Sequence, residues 1–440
     1  MSRSLVSVIA GTFTLRFSTS LTGLLLAYYI ADLPEHGGAE VGAIEVAIIQ
    51  VSFYLTELGL SPLFGVLCDR IGIRPIMLLG PAFGAFAAAL TGLTTAIPIL
   101  IGTRFLEGAS TAASVPAILG FLAIATSIDE GLRGRVMARF ELATLGGLAA
   151  GGVAAGLLWD AIGPLAFFLN AALYGVSWLI YRYLVDYHDP VRHPAAAAIT
   201  LRERAAATAS RYGRLLSSSH VLLLAPTWIA LNAAIGTIGS VQIVFQLRGS
   251  DAPFAADQVL MRGFSASEIS GGILVGVAIF VAGALFWGNQ FKRYRRTTII
   301  GFGVLAALVG LVAVFVVNHA FNAPWPAIGG LALVGLGAVF VLAGATPAAV
   351  GLLADISEGY QHDRGAIMGL YSVFLGIGQI VGGGLGGFAA HFRGIDGLLG
   401  LTFVLLVVAL VPLYSLRLYE HEIGGATPAV VPHREEPDLG

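Results

Sequence analysis

Gly65-Val66-Leu67-Cys68-Asp69-Arg70-Ile71-Gly72-Ile73-Arg74-Pro75 is a brief polar interruption between two apolar runs, residues 41–66 and 75–94. Each run reaches the roughly 20 apolar residues needed to cross a bilayer. Between them stand one acid, two arginines and a glycine able to take a left-handed turn. Charges that must stay in water, next to a residue that lets the chain reverse, describe the tip of a hairpin of two membrane helices. That reading sets the class of the whole chain.

Ten further runs of the same kind flank this hairpin, at residues 5–31, 97–126, 136–159, 163–185, 221–247, 268–289, 297–318, 325–353, 365–390 and 396–417. The composition agrees: 57% of the 440 residues are hydrophobic and 11% charged, against roughly 25% charged in a soluble domain. Too few charges remain to cover such a chain against water. The expected fold is all-α, with twelve transmembrane helices in two six-helix bundles. Residues 1–185 form the first bundle, 186–220 a polar, Arg-rich linker, 221–418 the second bundle and 419–440 a hydrophilic tail. The run at 5–31 is too long for a signal peptide and reads as a retained helix.

The basic residues sort by side. With the N-terminus inside, Arg16 and Arg104 fall within helices and Arg248, Arg262 and Arg393 in outer loops, leaving 19 of the 24 for the cytoplasmic side. Both termini are therefore expected in the cytoplasm, in a multi-pass protein of the cytoplasmic membrane. The two halves also repeat. A shift of 231 residues places Pro116 on Pro347, Arg133-Gly134 on Arg364-Gly365, Met137 on Met368, Gly147 on Gly378, Gly151-Gly152 on Gly382-Gly383 and Gly156 on Gly387. Two parallel six-helix repeats place a substrate path at their interface.

Here the motifs become specific. The loop quoted above resembles the signature G-x-L-x-D-R-x-G-R-R/K of the major facilitator superfamily (MFS), with Gly65, Asp69, Arg70, Gly72 and Arg74 matching and Ile73 in place of an Arg. The resemblance implies a cytoplasmic latch between the halves; a charged loop that only fixes topology is the alternative. The corresponding stretch of the second half, Gly288 to Arg296, keeps the glycine and basic cluster but has no acid. Arg104-Phe105-Leu106-Glu107-Gly108 resembles the family's R-x-x-[Q/E]-G motif, whose Arg is associated with proton coupling. The alternative is an Arg that pins neighbouring helices, neutralised by Glu107 three residues on. Gly147, Gly151, Gly152, Ala155 and Gly156 resemble the antiporter motif of the fifth helix, with Gly152 where the family has Pro; small residues at this spacing also pack helices in any membrane protein. The resemblance covers residues 5–417 and is to a drug-exporter-like branch, working by alternating access.

Four intramembrane charges are candidates for coupling: Arg16, Glu57, Arg104 and Glu107. Glu57 lies about 18 Å along its helix from Asp69, so at mid-depth, where it is either a proton carrier or the partner of Arg16 in a permanent ion pair. Arg133, Glu141 and Arg364 join the latch candidates, with a solvated-loop reading equally open. Gln50, Thr111, Asn232, Gln242, Tyr371 and Gln379 are the polar candidates for a substrate cavity. The expected function is secondary active transport of a small amphiphilic or apolar molecule, by proton-coupled efflux. A lipid or lysolipid translocator, an uncoupled facilitator and a non-transporting sensor are the alternatives. The nine His residues fall at helix ends, loops and tails, and the chain has no HExxH and no nucleotide-binding loop, so it is not expected to be an enzyme. Its partners are the substrate, protons and the lipid bilayer; no nucleic acid, cofactor or metal is called for, and a monomer is expected.

Overall fold

The computed structural model describes residues 2–127, 129–187, 210, 219–238, 241–358 and 364–423. Among them the regular structure is entirely helical. Lipid offers no hydrogen bond to a peptide group, so an apolar segment must satisfy its own backbone. The first half is α1 (Arg3–Ala31), α2 (Ala43–Ile71), α3 (Ile73–Thr91), α4 (Ile97–Ala125), α5 (Glu130–Ile162) and α6 (Leu165–Tyr183). The second is α7 (Ser219–Ile238), α8 (Val241–Leu247), α9 (Ala266–Gly288), α10 (Arg296–Asn318), α11 (Trp325–Leu342), α12 (Ala345–Glu358) and α13 (Arg364–Ile423). α7 with α8, and α11 with α12, each form one crossing.

Eleven stretches are long and apolar enough to cross a membrane, and the last, Ser372–Tyr419, has 48 residues. At about 1.5 Å per residue that is some 72 Å, far beyond the about 30 Å of a bilayer core. The backbone leaves the helix at Gly394, with φ 56° and ψ −131°, so α13 is two legs, 364–393 and 395–423, and the described residues make twelve crossings. Gly163, which separates α5 from α6, has φ 53° and ψ −135°. It lies 231 residues before Gly394, so the repeat extends to the conformation of a turn.

Several boundaries move. The hairpin tip is tighter than expected: α2 runs on to Ile71, which puts Asp69 and Arg70 in its last turn, and Gly72 alone, at φ 96°, turns the chain into α3. α5 begins at Glu130 because Asp129 caps it, accepting from the Leu132 N–H at 2.8 Å. The expected linker 186–220 and tail 419–440 lie largely outside the described residues. Asp186 and Tyr187 still pack on the first half: the Asp186 N–H donates to the Ser4 hydroxyl, and the Tyr187 hydroxyl donates to the Tyr181 carbonyl at 3.0 Å.

Within the first half α1 packs on α5 and α6, α2 on α4, and α3 on α4 and α6; within the second α7 packs on the first leg of α13, α10 on α11 and α13, and α9 on α11. Across the halves α2 meets α13, α5 meets α9, and α1 meets α8. The glycines of α5 and α13 build both kinds of contact. Gly147 lies against Phe13 and Arg16 of α1, and Gly151 against the Phe17 carbonyl. Gly378 lies against Asn232 of α7, and Gly382 against the Ala233 carbonyl. Further along, the contacts reach the other half. Gly152 lies against Ser20 and Leu24 of α1 with Ile273 of α9 at 4.0 Å, and Gly156 meets the Ala266 carbonyl of α9, while Gly383 faces Gln50 and Gly387 faces Ala43 and Ala47, all on α2. Only the second part of the glycine motif reaches the boundary between halves, and the first part seals each half to its own first helix. Gly65 has no neighbour within 4 Å of its Cβ position, so it makes no close helix approach here.

Gly151→Val should therefore cost about 1–3 kcal/mol of stability through overpacking, and Gly59→Ala, where the added methyl meets nothing within 4 Å, should cost little. Thermal unfolding in detergent measures both; equal melting temperatures would contradict the packing described.

Candidate functional site

Arg16 and Glu57 each sit near the middle of a 29-residue helix, hence near mid-depth. Arg16 leaves α1 beside Gly147 of α5. Its positive charge acts on Glu57 of α2 and on Glu141 of α5, yet it forms a direct ion pair with neither. Both Arg16 and Glu57 are half-buried. Of the two readings of Glu57 left open by the sequence, the direct ion pair with Arg16 is not formed here.

Arg104 and Glu107 are arranged differently. They form a direct ion pair within α4, 5% and 2% exposed. The Arg104 guanidinium lies over the Phe53 ring of α2 at 4.7 Å. Gly108 makes this possible, because α4 packs there on the Phe53 carbonyl, on Thr56 and on the Glu57 backbone. The pair is wedged between α2 and α4, where α4 packs on α2 beside the Glu57 backbone. Such a pair braces two helices; removing one member leaves the other buried without its partner.

The cavity candidates divide. Gln50 of α2 donates to the Gly236 carbonyl of α7 at 3.4 Å, and Gln379 of α13 lies beside the same Gly236. These two amides therefore meet at one point where α2, α7 and α13 converge across the halves. Asn232 donates to the Trp228 carbonyl of its own helix at 2.8 Å. By its contact with Gly378 it is the counterpart of Arg16, a relation the sequence reading missed because the α1–α7 offset differs from 231. Gln242, on α8, is fully buried with no protein partner for either amide atom. Thr111 is buried within α4. The side chains of Tyr371 and Arg364 lie outside the described ones.

The sequence reading also missed what closes one end. Asp32, which caps α1, accepts from Arg248 just beyond α8 with both oxygens, at 2.7 and 2.6 Å. The Trp159 indole of α5 donates to the same carboxylate at 2.9 Å, and Arg248 also donates to the Phe264 carbonyl at 3.0 Å. Asp160 accepts from the Ser267 N–H at 2.7 Å, again across the halves. Among the described residues, the glycine-mediated approaches between halves lie on this side of mid-depth or at it, the last being Gly376 against Leu58. At the opposite end Asp69, Arg74, Arg133 and Glu141 are exposed and Arg70 and Gly72 half-buried. Arg74 stacks over Tyr187 at 5.3 Å within the first half. The molecule is closed at the Asp32–Arg248 end.

A membrane bundle of two six-helix repeats, with ionisable groups at mid-depth and a gate across the repeats, has the architecture of a transporter rather than an enzyme. The family model of the Major Facilitator Superfamily matches residues 8–345 and 252–435, and the chain belongs to that family. It is 27% identical over 261 residues to the class D tetracycline resistance protein of Salmonella ordonez, covering 56% of this chain and 62% of that one. It is 26% identical over 149 residues to multidrug resistance protein 1 of Bacillus subtilis (strain 168), covering 34% and 37%. The chain thus aligns with less than two thirds of each of these relatives. Its fold is similar to that of the nucleoside transporter NupG, with a TM-score of 0.69 and 12% identity over 97% of this chain and 100% of that one.

Arg104→Ala should destabilise the protein by about 3–5 kcal/mol, and the double change Arg104→Met with Glu107→Leu by clearly less. Thermal unfolding of the three proteins checks this; a double variant no more stable than the single would remove the bracing role.

Proposed function

We propose that this chain is a secondary active transporter that exports a small amphiphilic or apolar molecule across the cytoplasmic membrane in exchange for protons, by alternating access. Membership of the superfamily and the relatives named for tetracycline and multidrug resistance support export of such molecules. The excess of Arg and Lys at the Asp69 end supports placing that end, and both termini, in the cytoplasm. The conformation is then open inward and closed outward, and the two bundles bounded at 185 and 221 move as units joined by the linker.

The observation that carries the coupling is the half-buried carboxylate of Glu57 at mid-depth, beside an Arg16 that acts on it without binding it directly. A carboxylate held in that way can take up and release a proton as water reaches it from one side and then the other. In the second half the polar groups are amides, Asn232, Gln242 and Gln379. They offer hydrogen bonds at no cost in charge, which suits a substrate whose remaining surface is apolar. Asp69, Arg70 and Arg74, with Arg133, Glu141 and Arg364, form the cytoplasmic latch when the halves close at that end.

Purified protein in liposomes, given an inward or outward proton gradient, should drive ethidium or tetracycline flux in the direction opposite to the protons. Glu57→Gln should abolish the gradient-driven component with an unchanged melting temperature. Flux indifferent to the gradient would make the protein a facilitator, binding without flux would make it a sensor, and full coupling in the variant would remove Glu57 from the proton path.

A further inference from the structure

The second half carries a cavity far from the central path. It is about 380 Å³ in volume and lies between the start of α10 and the end of the second leg of α13. Its floor is apolar: Gly301, Leu305, Leu410 and Leu413. The absence of a side chain at Gly301 matters, because the Leu413 Cδ2 is 3.8 Å from where a Cβ would stand. Phe302 and Tyr414 form the rims and are 41% and 67% exposed. They sit on the outer surface of the bundle, among other exposed apolar side chains such as Val411 at 70%, so this surface faces lipid.

One end of the groove is different. Arg417 and the hydroxyl residues Thr297 and Thr298 line it, with no acid among the lining residues. Arg417 is exposed and forms no ion pair among the described residues. An exposed guanidinium at the membrane surface favours an anionic headgroup. From Thr298 to Leu305 the groove descends about 10 Å along α10, from the depth of a headgroup into hydrocarbon. Its polarity therefore runs in the order of a lipid molecule, charge at the membrane surface and apolar channel below, and its volume is that of a small-molecule site.

We propose that this groove binds an anionic phospholipid of the leaflet at the Asp69 end, with the phosphate at Arg417 and an acyl chain along Gly301 and Leu413. The bound lipid ties α10 to the second leg of α13 on the side of the bundle away from the seam. This site is independent of the transport reading, because it is tested by binding.

The experiment uses the delipidated full chain in dodecylmaltoside, titrated with phosphatidylglycerol or phosphatidylcholine, with binding read by native mass spectrometry and by thermal shift. Phosphatidylglycerol should bind and stabilise more strongly than phosphatidylcholine. Arg417→Gln should weaken phosphatidylglycerol about 5-fold, the worth of one basic residue at an anionic surface, and leave phosphatidylcholine unchanged. Gly301→Leu, which fills the groove, should weaken both. Equal affinity for the two lipids, unchanged phosphatidylglycerol affinity in Arg417→Gln, or the same stabilisation by inorganic phosphate alone would each overturn the proposal. Arg417 is exposed at the end of its helix, so that variant keeps the test valid even where Gly301→Leu fails to fold.

Discussion

Backbone against backbone, Gly151 on the Phe17 carbonyl and Gly382 on the Ala233 carbonyl, is the contact from which the rest of this molecule is built. In a bilayer the helices gain no hydrophobic free energy by associating, since lipid tails are as apolar as their own side chains. Close packing has to supply the adhesion instead, and only glycine permits an approach this near. Each of these glycines closes its half onto its first helix. A glycine further along the same helix, Gly156 or Gly383, faces the other half instead. A single helix thus belongs to one bundle along one face and forms the boundary along the next, and the arrangement occurs twice. The boundary consists of small, smooth surfaces in two symmetric copies, which suits one bundle turning against the other more than a side-chain interlock would.

Charge is what breaks the symmetry. Arg16 of α1 corresponds in place to Asn232 of α7. By the same superposition, which pairs Ala43 with Ala266 and Gln50 with Ile273 through their glycine contacts, Glu57 corresponds to Phe280. The first half holds ionisable groups at mid-depth where the second holds an amide and a ring. The Asp32–Arg248 pair then keeps the far end shut. With side chains 20% and 12% exposed, it is shielded enough from water to matter and close enough to the surface to be released.

Much of this could be read from the residues before any coordinates. Twelve crossings, two halves and the register of the repeat follow from apolar run lengths and a shift of 231, because lipid enforces helices so strictly that little else is left to decide. The same shift also holds for Gly163 and Gly394, and the sequence carried that signal unused. Side-chain pairing was less legible. Arg104 and Glu107 share one helix at i, i+3, so their meeting was foreseeable. That they are wedged under Phe53 depends on how α4 packs on α2 at Gly108. Asp32 and Arg248 are 216 residues apart, in gaps between apolar runs, and nothing local in either segment marks them as partners. The hairpin tip moved for a simpler reason: polar residues at the bilayer edge continue a helix readily, and hydropathy alone ends it too soon.

The central claim is that the two bundles are rigid bodies closed at the Asp32–Arg248 end and open at the Asp69 end, and that they exchange these states about the glycine seam. Spin-label pairs placed across the halves at each end, in a background where the single cysteine Cys68 is replaced by Ser, measure this by pulsed electron resonance. The account predicts short distances at the Asp32 end and long ones at the Asp69 end, with the two changing in opposite directions when Asp32→Asn weakens the gate. Distances at both ends that shift together, or that ignore the substitution, would contradict it.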